Sequence, residues 1–306
     1  EIAQCLVGSE MCIRDRLQVE YFDNGGDCFA GLYWKAPSAG SQNVLARFGD
    51  AGKVAAECDV TVAVLGINKS IEREGQDRFS LELPVDQQEF IKELYKVNPN
   101  TVVVLVAGSS MAVNWMDENV PAILNAWYPG EQGGNAVAEV LFGDYNPGGR
   151  LPLTYYNSLD EIPAFDNYSV KGRTYQYFEG QPLYEFGYGL SYTKFRYKSK
   201  GVNVEQDTVK VSFEVSNTGK YDGDEVAQVY VKYPETGTYM PLKQLHGFKR
   251  VHIKKGKTSK VTIGVPKKDL RYWDEQERKF VTPKGEYTFM VGASSEDIKF
   301  RETVGL

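Results

Sequence analysis

The sequence predicts two folded regions, an α/β domain with a mostly parallel sheet and then an all-β sandwich. Strand-like runs alternate with helix-like stretches from about residue 49 to residue 143, an order typical of parallel strands joined by right-handed crossovers. After residue 193 only short alternating strands and turns follow, about seven strands over ~110 residues, as in a β-sandwich. A chain of 306 residues is long enough for two domains with separate cores.

Apolar patterns predict each element of the α/β region in turn. The continuous run after residue 59 predicts a buried strand, and the β-branched run at 101–106 predicts a strand buried on both faces. Apolar residues spaced by three and four predict an amphipathic helix that ends at Asn98-Pro99. In chain order the predicted elements are a helix at 54–58, strand 60–65, helix 86–97, strand 101–106, strand 122–126 and helix 133–142.

A long aromatic segment, residues 146–192, separates the two regions. It is rich in Tyr, Phe, Pro and Gly and has little periodicity. A loop of this length is usually either functional or disordered. Its aromatic content argues against disorder, so we expect it to pack across the α/β domain and lead into the sandwich.

Alternation with period two predicts the strands of the sandwich. It is clearest where Val209, Val211, Phe213 and Val215 alternate with polar residues. His246 and His252 are predicted to lie on or beside strands as ordinary polar residues. The segment 254–257 is predicted to be a charged turn.

The amino-terminal residues do not continue the α/β pattern. Residues 1–16 resemble a junction peptide and are treated as a non-native leader. Residues 17–46 show two strand-like runs around a turn, which suggests the remnant of a β-rich inserted module. The predicted division is therefore 1–16, 17–46, an α/β domain at 47–192 and a β-sandwich at 193–306.

Composition excludes several functional classes. The net charge of −6 argues against nucleic-acid binding, which usually needs a basic surface. No apolar run approaches the ~20 residues that a membrane span requires. The chain has four cysteines and two histidines, with no CxxC pair and no metal-ligand spacing. We therefore expect no zinc site, no Cys/His nucleophile and no cofactor.

Residues 71–78 form the densest charged cluster after a predicted strand. Three carboxylates and two arginines fall within these eight residues. The carboxyl ends of strands are where an α/β sheet normally places its chemistry, and glycoside hydrolysis uses paired carboxylates. The alternative is a solvated loop of salt-bridged charges.

The glycine-rich segment 127–134 is a second candidate site, because it follows a strand and opens a helix. Glycines there can expose backbone N–H groups to a phosphate. Neither GxxxxGK[ST] nor a complete GxGxxG pattern is present. The other interpretation is a tight turn that places Trp127 and Tyr128 on the rim of a cleft.

Five motifs in order carry a family resemblance: residues 72–78, 126–130, 142–152, 171–177 and 183–192. Together they resemble the second half of a glycoside hydrolase family 3 enzyme of the bacterial β-glucosidase or β-xylosidase type. The resemblance extends from about residue 54 to residue 306.

The resemblance implies a specific architecture and reaction. Family members pair an amino-terminal barrel with an α/β sandwich, often followed by a fibronectin type III-like domain. The barrel, absent from this chain, supplies a nucleophilic Asp, and the segment matching 70–78 supplies a Glu as general acid/base. The mechanism is retaining, with carboxyl groups ~5–5.5 Å apart. No cofactor is implied, the fragment alone is expected to be inactive, and a periplasmic or secreted location is usual.

The implied substrates are oligosaccharides or aryl and alkyl β-glycosides with terminal β-D-glucosyl or β-D-xylosyl residues. Two candidates for the acid/base remain. Glu74 stands in the E-G-x-D-R setting of the family residue, and Glu72 is the alternative because this loop aligns with slips of one or two residues. We expect neighbouring carboxylates to raise the pKa of the acid/base, whereas Arg73 and Arg78 would work against this shift. We also expect Asp77 and Arg78 to form a structural pair that fixes the loop.

Two other functional classes are compatible with this architecture. A carbohydrate-binding or surface scaffold module could consist of the same two domains without catalysis. A nucleotide-binding α/β enzyme is the other class, which the missing phosphate motifs make weaker.

Overall fold

The structure is a computed structural model that describes residues 48–306. The predicted leader at 1–16 and the predicted module remnant at 17–46 lie outside the described residues. Of the four cysteines only Cys58 is described, and it is free and exposed. The described residues belong to one compact unit.

The α/β region contains a three-stranded parallel sheet in the order β1-β2-β3. Thr61 pairs with Thr101 at the start of the sheet and Leu105 pairs with Asn125 at its end. The strands are β1 (Thr61–Gly66), β2 (Thr101–Val106) and β3 (Ile123–Asn125). The helices are α1 (Ala51–Ala56), α2 (Val85–Val97), α3 (Asn114–Asn119) and α4 (Gly133–Phe142).

Most predicted elements of this region are confirmed. The bounds of β2 and α4 agree with the prediction, and α2 begins one residue earlier. Helix α1 begins three residues before the predicted helix at 54–58 and ends two residues before its predicted end. Helix α3 was missed, because its six residues are mostly polar and only Met116 is buried, so no apolar stripe marks it.

One face of the sheet carries the core of the α/β region. Ala63, Leu65 and Leu105 are buried there with Ile91 and Leu94 of α2. On the other side of β1, Val62 is 45% exposed and Val64 is 66% exposed. The prediction of a fully buried run at β1 is therefore wrong. Successive side chains of a strand point to opposite faces, and at this sheet edge only the inward set is covered.

The carboxyl-terminal region is a sandwich of two antiparallel sheets with seven strands, as predicted. One sheet has the order β12-β11-β6-β7 and the other has the order β4-β5-β8. Their bounds are β4 (Phe195–Val204), β5 (Thr208–Asn217), β6 (Gly223–Lys232), β7 (Gln244–Ile253), β8 (Thr258–Pro266), β11 (Glu286–Gly292) and β12 (Ile298–Gly305). A separate hairpin comprises β9 (Tyr272–Asp274) and β10 (Lys279–Val281).

The inward side chains of both sheets form one dry core. Val209, Val211 and Val215 of β5 are fully buried and Phe213 is 1% exposed, which confirms the predicted alternation. Both histidines lie on β7, also as predicted. The segment 254–257 is a turn, closed by a hydrogen bond from the Lys257 N–H to the Lys254 carbonyl at 2.9 Å.

The aromatic segment packs on the α/β region, as predicted, where the Tyr184 hydroxyl donates to Asp117 of α3 at 2.6 Å. It also packs on the sandwich. It contains helix α5 (Thr174–Tyr177). The Tyr175 ring stacks on Phe186 with 4.3 Å between centroids and meets Tyr230 of β6 edge-on. The Gln228 amide donates to the Gly187 carbonyl at 3.1 Å. The outer face of β6 is therefore covered by this segment.

A buried ion pair also joins the aromatic segment to the sandwich. Arg150 Nη2 lies 2.7 Å from Glu225 Oε2, with side chains 8% and 4% exposed. The Tyr197 hydroxyl donates to the other Glu225 oxygen at 2.7 Å. Within residues 48–306, no helix is both long and apolar enough to cross a membrane.

Candidate functional site

Three strand ends meet at the carboxyl edge of the sheet. The β1–α2 loop contains the charged cluster at 71–78, and Gly108 and Ser109 follow β2. Tyr128 follows β3. This is the edge where open α/β sheets bind ligands.

The Glu72 carboxylate is the centre of this edge. Its Oε1 accepts hydrogen bonds from the Gly108 N–H at 2.9 Å and from the Tyr128 hydroxyl at 2.6 Å. Its Oε2 accepts a hydrogen bond from the Ser109 hydroxyl. The side chain is only 16% exposed. Glu72 itself follows β1, and its donors follow β2 and β3.

Arg78 completes the environment of Glu72. Its Nε lies 3.5 Å from Glu72 Oε2, and its Nη2 donates to the Ser110 carbonyl at 2.8 Å. The predicted pair of Asp77 with Arg78 is therefore wrong. Asp77 is exposed, and the structure records no ion pair for it among residues 48–306. The Arg78 side chain is only 11% exposed and faces inward, while Asp77 faces solvent.

These contacts lower the pKa of Glu72. Burial raises the pKa of this carboxyl, but the hydrogen bonds from Ser109, Tyr128 and Gly108 and the charge of Arg78 outweigh it. The net shift is below the ordinary value of 4.5. The expectation of a raised pKa is wrong for Glu72, because three hydrogen-bond donors and the Arg78 cation favour its charged form.

Glu74 occupies the tip of a tight turn two residues later. Arg73 and Gln76 exchange backbone hydrogen bonds at 3.4 and 3.0 Å. Gly75 between them has a φ of 74°, the positive value that position i+2 of a type II turn requires. The Glu74 side chain is exposed and makes no recorded hydrogen bond or ion pair within the described portion of the chain.

Sequence reasoning missed Gly108 and Ser109 entirely. A Cβ on Gly108 would lie 2.5 Å from the Tyr128 ring and 2.9 Å from Glu72 Oε1, so a larger residue would displace one of these two side chains. Gly108-Ser109 directly follows a predicted strand, and that position was the available signal. Tyr128 is 49% exposed, which agrees with its predicted place at a rim, but its hydroxyl is committed to Glu72.

Comparison with known families gives two matches. Residues 13–192 match the glycosyl hydrolase family 3 C-terminal domain. Residues 225–295 match the fibronectin type III-like domain.

Curated relatives are considerably longer than this chain. A xylan 1,4-beta-xylosidase from Xylanibacter ruminicola is 43% identical over 225 residues, covering 73% of this chain and 26% of that enzyme. A periplasmic beta-glucosidase from Salmonella typhimurium is 33% identical over 293 residues, covering 90% of this chain and 38% of that enzyme. The chain thus spans 26% to 38% of the length of these relatives.

Solved structures share the fold. The beta-glucosidase from Kluyveromyces marxianus in complex with glucose aligns with a TM-score of 0.80 and 34% identity. The alignment covers 87% of this chain and 34% of that one.

Proposed function

The chain belongs to glycoside hydrolase family 3, and from this membership we propose that it supplies the proton donor of a retaining, exo-acting β-glycosidase. The proposed reaction releases terminal non-reducing β-D-glucosyl or β-D-xylosyl residues. The names of its relatives, which are β-glucosidases and β-xylosidases, support this choice of sugars. The substrates are oligosaccharides or aryl and alkyl β-glycosides.

The exposed turn that carries Glu74 is the observation on which the proposal depends. A proton donor must reach the glycosidic oxygen of a bound sugar. Glu74 projects from the edge where three strands end, and it has no recorded partner of its own within residues 48–306. Its carboxyl is therefore free to meet a substrate held by a second domain.

Glu72, the alternative acid/base, has the opposite properties. Both of its oxygens already accept hydrogen bonds, and its pKa is lowered. A general acid must keep its proton until transfer. We therefore assign proton transfer to Glu74 and a different role to Glu72.

In the proposed mechanism an Asp from the barrel attacks the anomeric carbon. Glu74 gives its proton to the leaving oxygen as the glycosidic bond breaks, and a glycosyl ester remains on the barrel. Glu74 then takes a proton from water, which attacks the ester and releases the sugar with retained configuration. Without a nucleophile and a sugar pocket this chain alone provides little transition-state binding, so we propose that it is inactive alone.

The same proposal extends to partners and location. The partner of the α/β region is the barrel of the same polypeptide. The periplasmic relative supports a periplasmic or secreted location. We also propose that the functional division follows the predicted bounds, with the α/β domain at 47–192 and the fibronectin type III-like domain at 193–306.

A fusion tests the role of Glu74. The amino-terminal portion of the Xylanibacter ruminicola relative is joined to this chain in place of its own carboxyl-terminal portion. In Glu74→Ala we expect hydrolysis of an alkyl glycoside to fall by about 10²–10⁴-fold, the usual contribution of a general acid. Azide should restore turnover of an activated aryl glycoside and give a β-glycosyl azide.

The matched control is Glu118→Ala, because Glu118 is exposed on α3 and has no proposed role. If Glu74→Ala keeps its rate and azide has no effect, the assignment of Glu74 is wrong. If the fusion is inactive while the isolated chain binds glucose, the carbohydrate-binding scaffold becomes the better proposal.

A further inference from the structure

We infer that Glu72 is a positioning residue, which holds the Glu74 turn in place through a clamp. The clamp comprises Glu72, Arg78, Gly108, Ser109 and Tyr128. This inference rests on the proposed role of Glu74. It assigns to Glu72 a role other than proton donation, namely the orientation of the carboxyl group that donates the proton.

The clamp fixes both flanks of the turn. Glu72 lies two residues before Glu74, and Arg78 lies four residues after it. The two side chains face each other at 3.5 Å between Arg78 Nε and Glu72 Oε2. The turn at 73–76 is therefore closed twice, by its own backbone hydrogen bonds and by this ion pair.

The clamp also ties the turn to the sheet. Gly108 and Ser109 extend from β2, and Tyr128 extends from β3; all three donate to Glu72. Arg78 adds bonds to the Ser110 carbonyl and the Met111 sulfur. Because parallel strands are a rigid base, contacts from two of them restrict how far the turn can move.

Two features of the backbone lie directly beside the contact between Tyr128 and Glu72. Gly108 has no room for a Cβ beside the Tyr128 ring and the Glu72 carboxylate. Trp127 has a φ of 55°, an unfavourable conformation for a bulky residue, and it directly precedes Tyr128. Strain of this kind persists only where surrounding structure imposes it, which supports a functional demand on the contact between Tyr128 and Glu72.

The consequence concerns the direction of the donor. Glu74 has no recorded hydrogen bond of its own in the described residues, so within this chain the turn sets the position from which its carboxyl reaches the substrate. A misplacement of about 1 Å in a catalytic group can reduce a rate by about 100-fold. Loss of the clamp should therefore impair proton donation while folding and sugar binding persist.

Leaving-group dependence separates positioning from a general structural role. The dinitrophenolate group of a dinitrophenyl glycoside leaves without protonation, whereas the leaving oxygen of an alkyl glycoside needs a proton from the acid. In the fusion enzyme we expect Glu72→Gln to lower kcat for the alkyl glycoside by about 10–100-fold, a fraction of the full general-acid contribution. The glycosylation rate of the dinitrophenyl glycoside should change by less than about 3-fold, since it needs no acid.

Tyr128→Phe serves as a milder variant in case Glu72→Gln fails to fold. It removes one donor from Glu72 and should show the same dependence with a smaller amplitude. The matched controls are Glu118→Gln and Tyr168→Phe, both at exposed positions. Equal losses on the two substrates, or no loss on either, would overturn the positioning role.

Two further readouts keep the inference independent of the proposed function. The first readout is amide hydrogen exchange in the 306-residue chain. The backbone N–H of Gln76, which donates to the Arg73 carbonyl, should exchange faster in Glu72→Gln than in the unchanged chain. Unchanged exchange in both clamp variants would overturn the clamp. Equal losses on both substrates in Glu74→Ala would instead contradict the proton-donor role, whatever the clamp does.

Discussion

The β-sandwich and the α/β region differ in how completely they bury their sheets. In the sandwich the two sheets cover each other, and β5 places four side chains at 0–1% exposure in the core. In the α/β region the sheet is covered well on one face, while Val62 and Val64 face solvent. The sandwich therefore has the more complete core of its own.

The two regions also differ in the interactions that hold them together and in which of them contains the candidate site. Apolar contact holds the sandwich together, and such burial is the main favourable term in folding. The candidate site lies in the other region and is held by hydrogen bonds around one carboxylate. A region with fewer buried contacts opens at lower free energy. Stability and chemistry are thus divided between the two regions, and four predictions test this division.

The largest expected loss in the free energy of unfolding comes from a cavity in the core of the sandwich. Phe213 is 1% exposed and packs against Tyr197 and Phe300. We expect Phe213→Ala to lower the free energy of unfolding by about 3–5 kcal/mol, measured by urea denaturation. Phe165→Ala is the control, since that ring is 81% exposed. Equal losses from both variants would contradict the division.

The second prediction concerns the joint between the regions. Arg150→Ala leaves Glu225 buried without its counter-charge, although Tyr197 still donates to it. Removal of one partner from a buried pair typically costs about 3–5 kcal/mol, and we expect the lower end of this range. Calorimetry should also show the two regions unfolding less cooperatively. Lys53→Ala, which breaks an exposed pair, should have little effect.

The third prediction is a pH dependence at the site. The pKa of Glu72 is lowered in the folded chain, so its ionised form stabilises the fold above the ordinary value of 4.5, and this contribution is lost as the pH falls through the lower folded pKa. At pH 7, Glu72→Gln should lower the free energy of unfolding by about 1.5–3 kcal/mol, as for hydrogen bonds to a charged group.

Urea denaturation of both proteins from pH 7 to pH 3 measures this difference. It should shrink as the pH falls, because the carboxyl of the unchanged chain then becomes neutral too. Glu118→Gln is the control and should differ little from the unchanged chain at every pH. A difference for Glu72→Gln that grows towards acid pH would contradict the lowered pKa.

The smallest effect is expected on the exposed face of the α/β sheet. Val64 is 66% exposed, so Val64→Ala should change the free energy of unfolding by less than about 0.5 kcal/mol. Leu105→Ala on the neighbouring strand should cost about 2–5 kcal/mol, because Leu105 is 2% exposed. Similar losses in thermal or urea unfolding would show that the outer face of β1 is covered after all.

Local patterns predicted most of the fold. Helix α2 has an apolar periodicity and strand β2 has a continuous apolar run. Both patterns lie within a few consecutive residues, and both elements are confirmed. Helix α3 escaped prediction because six mostly polar residues carry no stripe. The exposure of Val64 also escaped, since strand β1 has the same apolar run whether one face or both are covered.

The sequence predicted the location of the candidate site but not its contacts, because only local patterns can be read from the sequence. The charged cluster and its place after β1 are visible in the sequence, and so are both candidate glutamates. The contacts that distinguish them span long separations. Glu72 bonds with Gly108 at a separation of 36 residues and with Tyr128 at a separation of 56. No local pattern contains contacts between residues so far apart in the chain, so the sequence distinguished Glu74 from Glu72 only by its E-G-x-D-R setting.

The sequence by itself determined the order of elements, the family and the segment that contains the candidate carboxylates, because periodicity and motifs are local properties of the chain. Only the tertiary structure decided that Glu72 is the hydrogen-bonded carboxylate and Glu74 the exposed one, since three strand ends had to meet for Glu72 to contact its donors. It also decided the partner of Arg78, which is Glu72 rather than the adjacent Asp77. Side-chain direction and the proximity of strand ends, not residue type, separate the anchored carboxylate from the exposed one.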